Sequence, residues 1–152
     1  MTLALEAVLP AQEEIRELQA DYFRCLQSQD WPALARLFTD DADCDMRDGP
    51  GPAGAPEALL QGRDAIVDYI ARELAPLEAR LEGLSRGIEV LSPVSARACW
   101  MLEDRVTARG GRPVPFRQLS GWGRLHLTYA RVEGCWRIRS LRLERLWLRV
   151  EP

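Results

Sequence analysis

Apolar residues recur at three- and four-residue intervals in the N-terminal part of the chain. Over residues 11–30 this spacing predicts an amphipathic helix. Its apolar face consists of Ile15, Leu18, Tyr22, Cys25 and Leu26. A short second helix is expected next, with Asp30 as N-cap and Pro32 in its first turn. A third helix is predicted over residues 62–81, where Pro76 either kinks or ends it.

Period-two alternation replaces the helical pattern in two places. Ala42, Cys44 and Met46 alternate with aspartates, which predicts a short strand with one wet face. From residue 87 onward, alternation predicts a run of antiparallel strands. Turns are expected at Ser92-Pro93, in GGRPVP (residues 110–115) and at Glu133-Gly134. In the last strand the apolar parity changes from even to odd near Ser140, which is the effect of a β-bulge.

The order of the elements predicts the fold class. Helices and strands are segregated, which indicates an α+β fold, and there is neither an internal repeat nor a sign of a second domain. We expect a strongly curved antiparallel sheet to wrap three N-terminal helices and to leave a pocket between them. The Pro- and Gly-rich residues 47–57 fit neither a helix nor an interior strand, so we expect a mobile loop.

Aspartates are concentrated where the first strand is predicted. The spacing of Asp41, Asp43 and Asp45 copies the start of a calcium-binding loop, which then requires glycine at its sixth position and glutamate at its twelfth. Met46 and Pro52 occupy those positions. The aspartates are therefore interpreted as the exposed side of the strand.

Composition excludes several kinds of chemistry. The formal net charge of −3 gives no basic surface for nucleic acid. No apolar run reaches the length of a membrane span, and the N-terminus does not resemble a signal peptide, so we expect a cytoplasmic protein. All 20 basic residues are arginine, which rules out a lysine Schiff base and a P-loop lysine.

Metal and redox chemistry also find little support in the sequence. The four cysteines form no C-x-x-C pair, and the chain has one histidine to join them. We interpret Cys25, Cys44, Cys99 and Cys135 as reduced thiols that pack as small apolar side chains. No cofactor is expected.

Four stretches resemble a known family. They are YFRCLQSQDWPALARLFTDDADCD, GRDAIVDYI, RACWMLEDRV and GWGRLHLTYARVEGCWRIRSLRLERL. Together they resemble the SnoaL-like branch of the nuclear transport factor 2-like superfamily, over about residues 10–150 of a single domain spanning 1–152. Relatives include polyketide cyclases, scytalone dehydratase and bile-acid dehydratase. The resemblance implies a cone-shaped sheet closed by helices, a deep apolar pocket and, in many members, a homodimer.

The family's catalytic dyad is missing from the matching positions. In the scytalone dehydratase pattern a carboxylate on the first helix pairs with pocket histidines, and a pocket tyrosine lies on the short strand. Here Gln27 takes the place of the carboxylate, Met46 that of the tyrosine and Trp100 that of one histidine. The other histidine falls near residues 81–84, which contain none. This departure places dehydratase chemistry of that type in doubt.

Two residues remain as candidates for proton transfer. Strand parity turns Asp104 inward with Trp100, and the bile-acid dehydratase-like pattern also has an aspartate on this strand. Asp104 is thus either a general acid or base or an ion-pair partner of an arginine. His126 is the single imidazole, but its parity places it on the outer face beside Trp122. It is therefore either catalytic or part of a subunit interface.

Two functions follow. One is a cofactor-independent cyclase, isomerase or dehydratase acting on an aromatic, polyketide or steroid-like compound, with Asp104 as acid or base and with Tyr22 and Gln27 as hydrogen-bond donors to an enolate. The other is a non-catalytic binding protein for a similar hydrophobic small molecule. Met46, Trp100, Leu125 and Trp147 are expected to line the pocket. A homodimer is expected through the outer sheet face at Trp122 and His126, and the arginine row Arg137, Arg139, Arg142, Arg145 and Arg149 is interpreted as a solvated face.

Overall fold

Three helices and six strands make up the computed structural model, which describes residues 3–49, 58–110 and 114–152. The elements are α1 Leu5–Ser28, α2 Trp31–Ala35, β1 Phe38–Asp45, β2 Leu59–Gln61, α3 Arg63–Leu74, β3 Leu77–Ser92, β4 Ser95–Ala108, β5 Gln118–Val132 and β6 Cys135–Glu151. The α+β class is therefore confirmed. The expected loop at residues 47–57 lies mostly outside the described residues, as does part of the turn predicted in GGRPVP.

The helices agree with the apolar pattern except at two boundaries. Helix α1 begins at Leu5, earlier than predicted, and it contains Pro10. The Asp30 cap is confirmed, because its carboxylate accepts a hydrogen bond from the Ala33 backbone N–H at 3.2 Å. Of the two alternatives at Pro76, the structure has the helix end: α3 stops at Leu74, short of residue 81, and β3 begins at Leu77. Ala75 still has helical backbone angles, but the nitrogen of Pro76 carries no hydrogen to donate to the carbonyl group one turn earlier, so the helix cannot continue through it.

All six strands form one open sheet in the order β2-β1-β6-β5-β4-β3. Every neighbouring pair is antiparallel except β1 and β6, which are parallel. Helix α1 packs mainly against β3, and α3 packs mainly against β1. The apolar faces of the helices and one face of the sheet enclose the core between them. No helix in the described ranges is long and apolar enough to cross a membrane.

Two bulges in β6 decide which of its side chains point inward. Thr128 pairs with Ser140 whereas Tyr129 pairs with Ile138, so one extra β6 residue, Arg139, lies between them. This is the bulge predicted from the change of parity. A second bulge, at Leu146, was not predicted; it separates the pair Trp122–Trp147 from the pair Gly123–Arg145.

The aspartates of β1 do form an exposed edge of the protein. Asp40, Asp41 and Asp43 are exposed, and Asp45 is half-buried. Three of these carboxylates pair with arginines: Asp40 with Arg63 at 2.8 Å, Asp41 with Arg139 at 3.5 Å and Asp45 with Arg47 at 2.7 Å. Among the described residues, no group of three or more His, Cys, Asp or Glu side chains is arranged to hold a metal ion.

Candidate functional site

A small cavity of about 70 Å³ lies between the helices and the inner face of the sheet. Its apolar wall consists of Tyr22, Phe23, Leu26, Met46, Tyr69, Ile70, Leu74, Ala79, Leu81, Leu102, Val106, Leu125 and Leu143. Three charged residues, Glu73, Asp104 and Arg145, complete the lining. A cavity of about 150 Å³ is known to hold a benzene ring, so a one-ring ligand requires wall side chains to move apart. Met46 is unbranched and suited to such a shift.

Asp104 and Arg145 form an ion pair inside this cavity. The Arg145 Nη1 and Nη2 atoms donate to the two Asp104 carboxylate oxygens at 2.6 and 3.1 Å. The Asp104 side chain is only 12% exposed and the Arg145 side chain only 14%. Asp104 points inward, as predicted from parity, and it has an arginine partner, the second of the two roles considered for it. The pair gives an otherwise apolar cavity one polar end.

Gly121 leaves the space that the ion pair occupies. A Cβ atom at this position would lie 2.5 Å from Arg145 Nη1, 2.8 Å from the Trp147 carbonyl oxygen and 3.2 Å from Asp104 Oδ1. Any side chain on β5 at this point would displace the guanidinium. The backbone N–H of Arg145 also donates to Asp48 Oδ2 at 2.9 Å. The arginine is therefore held both at its backbone and at its charged end.

Tyr22 is a buried phenol that lines the cavity from α1. Its ring packs edge-on against Phe23 at 5.6 Å and Phe38 at 6.3 Å between centroids. Burial raises the pKa of Tyr22 far above its usual range, and the nearby Cys44 and Tyr129 add to this shift. The side chain therefore stays neutral, and its hydroxyl group can donate a hydrogen bond.

Met46 and Leu125 line the cavity as expected, whereas Trp100 lies in the core beside it. The indole N–H of Trp100 donates to the Tyr129 hydroxyl at 3.1 Å, and this hydroxyl donates to Gln19 Oε1 at 2.8 Å. Trp100 therefore has a fixed partner in a buried chain of hydrogen bonds. Its ring supports the cavity wall by packing edge-on against Phe23.

Two further residues expected in the pocket, besides Trp100, lie outside it. Gln27 is exposed on α1, and its side-chain oxygen accepts a hydrogen bond from the Leu81 backbone N–H at 3.1 Å, so it anchors the edge strand β3. Trp147 is 51% exposed on the outer face, opposite Trp122 on β5. The bulge at Leu146 changes the parity of β6 and turns Trp147 outward. The expected positions of both residues were wrong.

His126 lies on the outer face of the sheet, as its parity predicted, and so on the opposite side from Asp104. Its Nε2 atom is 2.9 Å from Glu144 Oε1. The hydrogen bond from His126, together with the nearby Arg124 guanidinium, holds the pKa of Glu144 below its usual range. The structure does not bring the two candidates for proton transfer together.

The outer face carries a second concavity, an open trough of about 1000 Å³ that crosses all six strands. Two outward rows form its floor. One row contains Arg97 on β4, Thr128 on β5, Ser140 on β6 and Asp43 on β1, and the other contains Cys99, His126, Arg142 and Asp45. The trough thus has an acidic end at β1, whereas its other end contains Arg86, Arg97 and Glu89, the last two paired at 3.0 Å.

Arg145 is the main site residue that sequence reasoning missed, since the arginine row was interpreted as wholly solvated. The odd parity of Leu141 and Leu143 continues to Arg145, so parity did contain the signal. The glycines opposite were a second signal, because Gly121 and Gly123 provide room on the inner face. Glu73, at the end of α3, was also missed.

Comparison with known proteins finds one family profile and several similar folds that cover most of the chain. Residues 7–142 match the profile of the SnoaL-like domain. A candidate scytalone dehydratase from Novosphingobium aromaticivorans superposes with a TM-score of 0.80 at 18% identity, covering 98% of this chain and 97% of that one. A hexachlorocyclohexane dehydrochlorinase, LinA-type3 from Novosphingobium barchaimii, gives 0.78 at 15% identity, covering 97% and 94%.

An uncharacterized protein with a cystatin-like fold from Caulobacter vibrioides gives a TM-score of 0.70 at 22% identity, covering 90% of this chain and 89% of that one. At such low identities these likenesses establish the fold alone, which is nuclear transport factor 2-like. No curated protein sequence matches the chain.

Proposed function

This chain belongs to the SnoaL-like domain family, and on that premise we propose that it converts a small, largely apolar molecule in the cavity beneath α1 and α3. The chemistry is that of a cofactor-independent lyase or isomerase: cyclisation, isomerisation or dehydration of an aromatic, polyketide or steroid-like compound, any of which requires the walls of the cavity to move apart. The observation that carries the proposal is the Asp104–Arg145 ion pair, which provides a charged group at one end of an apolar cavity.

Each polar group around the cavity has a role in this proposal. Asp104 accepts a proton from the bound compound and returns it later, because a carboxylate retains lone pairs beyond the two that Arg145 occupies. Tyr22 donates a hydrogen bond to the oxygen on which negative charge develops. The apolar wall excludes water and strengthens both interactions. His126 takes no part in this step, since it lies on the other face of the sheet.

Replacement of Asp104 tests the role of this carboxylate. Asp104→Asn should lower turnover by about 10²-fold or more, the usual contribution of a general acid or base, and should leave ligand binding nearly unchanged. Glu103→Gln is the matched control, because Glu103 is the next residue and faces outward. Turnover is measured on a panel of aromatic, polyketide and steroid-like compounds, and thermal unfolding checks that both variants fold. Unchanged turnover in Asp104→Asn would exclude Asp104 as the acid or base.

A specific observation favours a second candidate, a non-catalytic binding protein. Both oxygens of Asp104 already accept hydrogen bonds from Arg145, and Gln27 neither titrates nor faces the cavity. In that case the wild-type protein would capture an apolar compound and release it unchanged. Native mass spectrometry of gently purified protein, followed by incubation of the captured compound with fresh protein, separates the two candidates.

We further propose that two copies pack through the outer trough. A two-fold axis along β5 and β6 would place the β1 side of one copy over the β4 side of the other, so that Asp43 meets Arg97. Trp122 and Trp147, 42% and 51% exposed, would be covered at the same time. The four free cysteines support the cytoplasm as the location, because thiols stay reduced there.

A further inference from the structure

A one-ring ligand requires movement of the cavity wall, since a cavity that holds benzene measures about 150 Å³ and this one about 70 Å³. The wall side chains come from α1, α3 and four strands of the sheet, with one exception. Met46 follows the last residue of β1 and begins a turn. Among the lining residues that the structure describes, Met46 is thus the part of the wall that can move without unfolding a helix or a strand.

The turn that Met46 begins is tied to the sheet through a side chain. The Gly49 N–H donates to the Met46 carbonyl oxygen at 2.9 Å, which closes the turn, and the Met46 N–H donates to the Ala58 carbonyl oxygen at 2.9 Å. The carboxylate of Asp48 accepts a hydrogen bond from the Arg145 backbone N–H at 2.9 Å. Asp48 is exposed, so water competes for this bond.

Asp48 takes the place of a strand residue at this point. Strand β1 pairs with β6 as far as Asp45 and Arg142, and the same register continued by three residues would place residue 48 beside Arg145. Because β1 ends before this point, the Arg145 N–H lacks a β1 partner, and the Asp48 carboxylate accepts its hydrogen bond instead. This bond joins the turn to the strand that carries the ion pair of the cavity.

The Met46 side chain is packed against its own turn. A Cβ atom at Gly49 would lie 2.9 Å from the Met46 carbonyl oxygen and 3.6 Å from the Met46 Cε atom, so glycine leaves the space beside this methyl group. Met46 also packs against the core and lines the cavity. A movement of the turn away from β6 therefore takes Met46 out of the wall.

We propose that the Met46–Gly49 turn is the entrance to the cavity and that Asp48 is its latch. Release of Asp48 from the Arg145 backbone frees the turn to move outward, and Met46 then leaves the wall so that an apolar molecule can enter. The side-chain pair of Asp104 and Arg145 stays in place, because its hydrogen bonds do not involve the turn. This entrance rests on the proposed function, since it requires that the cavity hold the ligand.

A latch that is closed in both the free and the occupied protein changes rates and not affinity. Asp48→Ala should raise the association and dissociation rate constants of benzene by the same factor, about threefold or more, as expected for the loss of one hydrogen bond. The dissociation constant should stay unchanged. Asp48→Asn keeps an oxygen acceptor and should restore most of the wild-type rates. Asp41→Ala, which removes an exposed carboxylate of β1, is the control.

The rates come from exchange effects on the methyl NMR signals of Leu125 and Leu143, which line the cavity. A double variant tests whether Asp48 acts through Met46. Met46→Ala removes the side chain that closes the wall and should speed benzene exchange, and addition of Asp48→Ala should then have no further effect. Thermal unfolding checks that each variant folds.

Gly49→Ala tests the same turn without a change of charge. Its methyl group would be forced against the Met46 carbonyl oxygen, which strains the closed turn, so benzene exchange should again become faster. The Arg145 amide proton reports on the latch in wild-type protein. It should exchange with deuterium faster than the amide protons of Leu125 and Leu127, which lie in the central strand β5.

The outcomes separate this entrance from the proposed function. Benzene that occupies the cavity and exchanges at the same rates in wild-type protein and Asp48→Ala would overturn the entrance and leave the proposed function standing. A rise in the dissociation rate alone would make Asp48 a support of the occupied state, and equal protection of the Arg145 and β5 amides would show no opening; either result would overturn the latch. Failure of benzene to shift the leucine methyl signals would overturn both proposals.

Discussion

Individual side chains in this protein behave according to the face of the element that carries them, and the cysteines illustrate this. Cys44 is buried on the inner side of β1, and burial, with Asp45 and Asp43 nearby, raises the pKa of its thiol to about 12. Burial likewise raises the pKa of Cys25, whereas Cys135 is exposed at the start of β6. A thiol reacts with alkylating agents only as the thiolate.

These surroundings predict the order in which the thiols react. At pH 8 a raised pKa leaves Cys44 protonated, so iodoacetamide should modify Cys135 first and should modify Cys44 only after unfolding. Peptide mapping by mass spectrometry measures the rates, and Cys135→Ser serves as the control that removes the fast reaction alone. Equal rates of modification for Cys44 and Cys135 in native protein would contradict the burial of Cys44 on the inner side of β1.

At the scale of residues, inward and outward positions could be predicted wherever one strand kept its parity. Asp104, Leu125 and His126 were assigned to the correct faces for this reason. Trp147 was not, because the apolar pattern of β6 does not reveal the second bulge. Arg145 was not, although its parity with Leu141 and Leu143 pointed inward, because the arginine row was interpreted as solvated. Arginine is usually exposed, so the signals for an inward guanidinium, its parity and the room left at Gly121, were outweighed.

At the scale of elements, the β5–β6 hairpin shows how a turn selects its residues. Glu133 and Gly134 have φ angles of 51° and 81°, so both central residues are left-handed, as in a type I′ turn. This turn was predicted from the Glu-Gly pair. Glycine adopts such angles without strain, but glutamate does not.

The strain at Glu133 can be relieved by a single substitution. Glu133→Asn should raise the free energy of unfolding by up to about 1 kcal/mol, since asparagine tolerates the left-handed region. Glu133→Gln is the control, because it removes the charge and keeps the strain. Urea unfolding measures both variants. A gain in Glu133→Gln as large as that in Glu133→Asn would attribute the effect to charge.

Element boundaries were less predictable where one sequence pattern satisfies two periods. Leu77, Ala79 and Leu81 alternate in β3, yet with the residues before them they also continue the apolar face of α3. Pro76 decides between the two, because its nitrogen has no hydrogen to donate to the carbonyl group one turn earlier in a helix. Strand β2 follows the Pro- and Gly-rich segment and has three residues, too few for a periodic signal.

At the scale of the whole molecule, the stability of the proposed dimer depends on the charges at the two ends of the trough. Arg97→Glu should weaken the dimer about tenfold or more by placing two acids together, and the double variant Asp43→Arg/Arg97→Glu should restore it. Sedimentation equilibrium over a range of protein concentrations measures the dissociation constant. A wild-type protein that stays monomeric at all concentrations, or a double variant no better than Arg97→Glu, would exclude this interface.

At the scale of the whole molecule, the fold class could be predicted from the order of the elements, but the size of the cavity could not. Volume depends on how side chains from α1, α3 and four strands meet, and a list of inward residues does not contain that information. The ion pair could not be predicted for the same reason. It requires Asp104 and Arg145, which are distant in sequence, to meet beside Gly121 in the folded sheet.

The parallel pairing of β1 with β6 has a consequence for synthesis of the protein. Residues 38–45 find their partner at residues 138–142, so β1 leaves the ribosome long before that partner is made. Until then β1 lacks its neighbour on that side, and its apolar residues stay partly uncovered. Contacts between residues so far apart in sequence form slowly, and exposed apolar segments aggregate while they wait. Chaperones that bind nascent chains should therefore engage this protein through its N-terminal half.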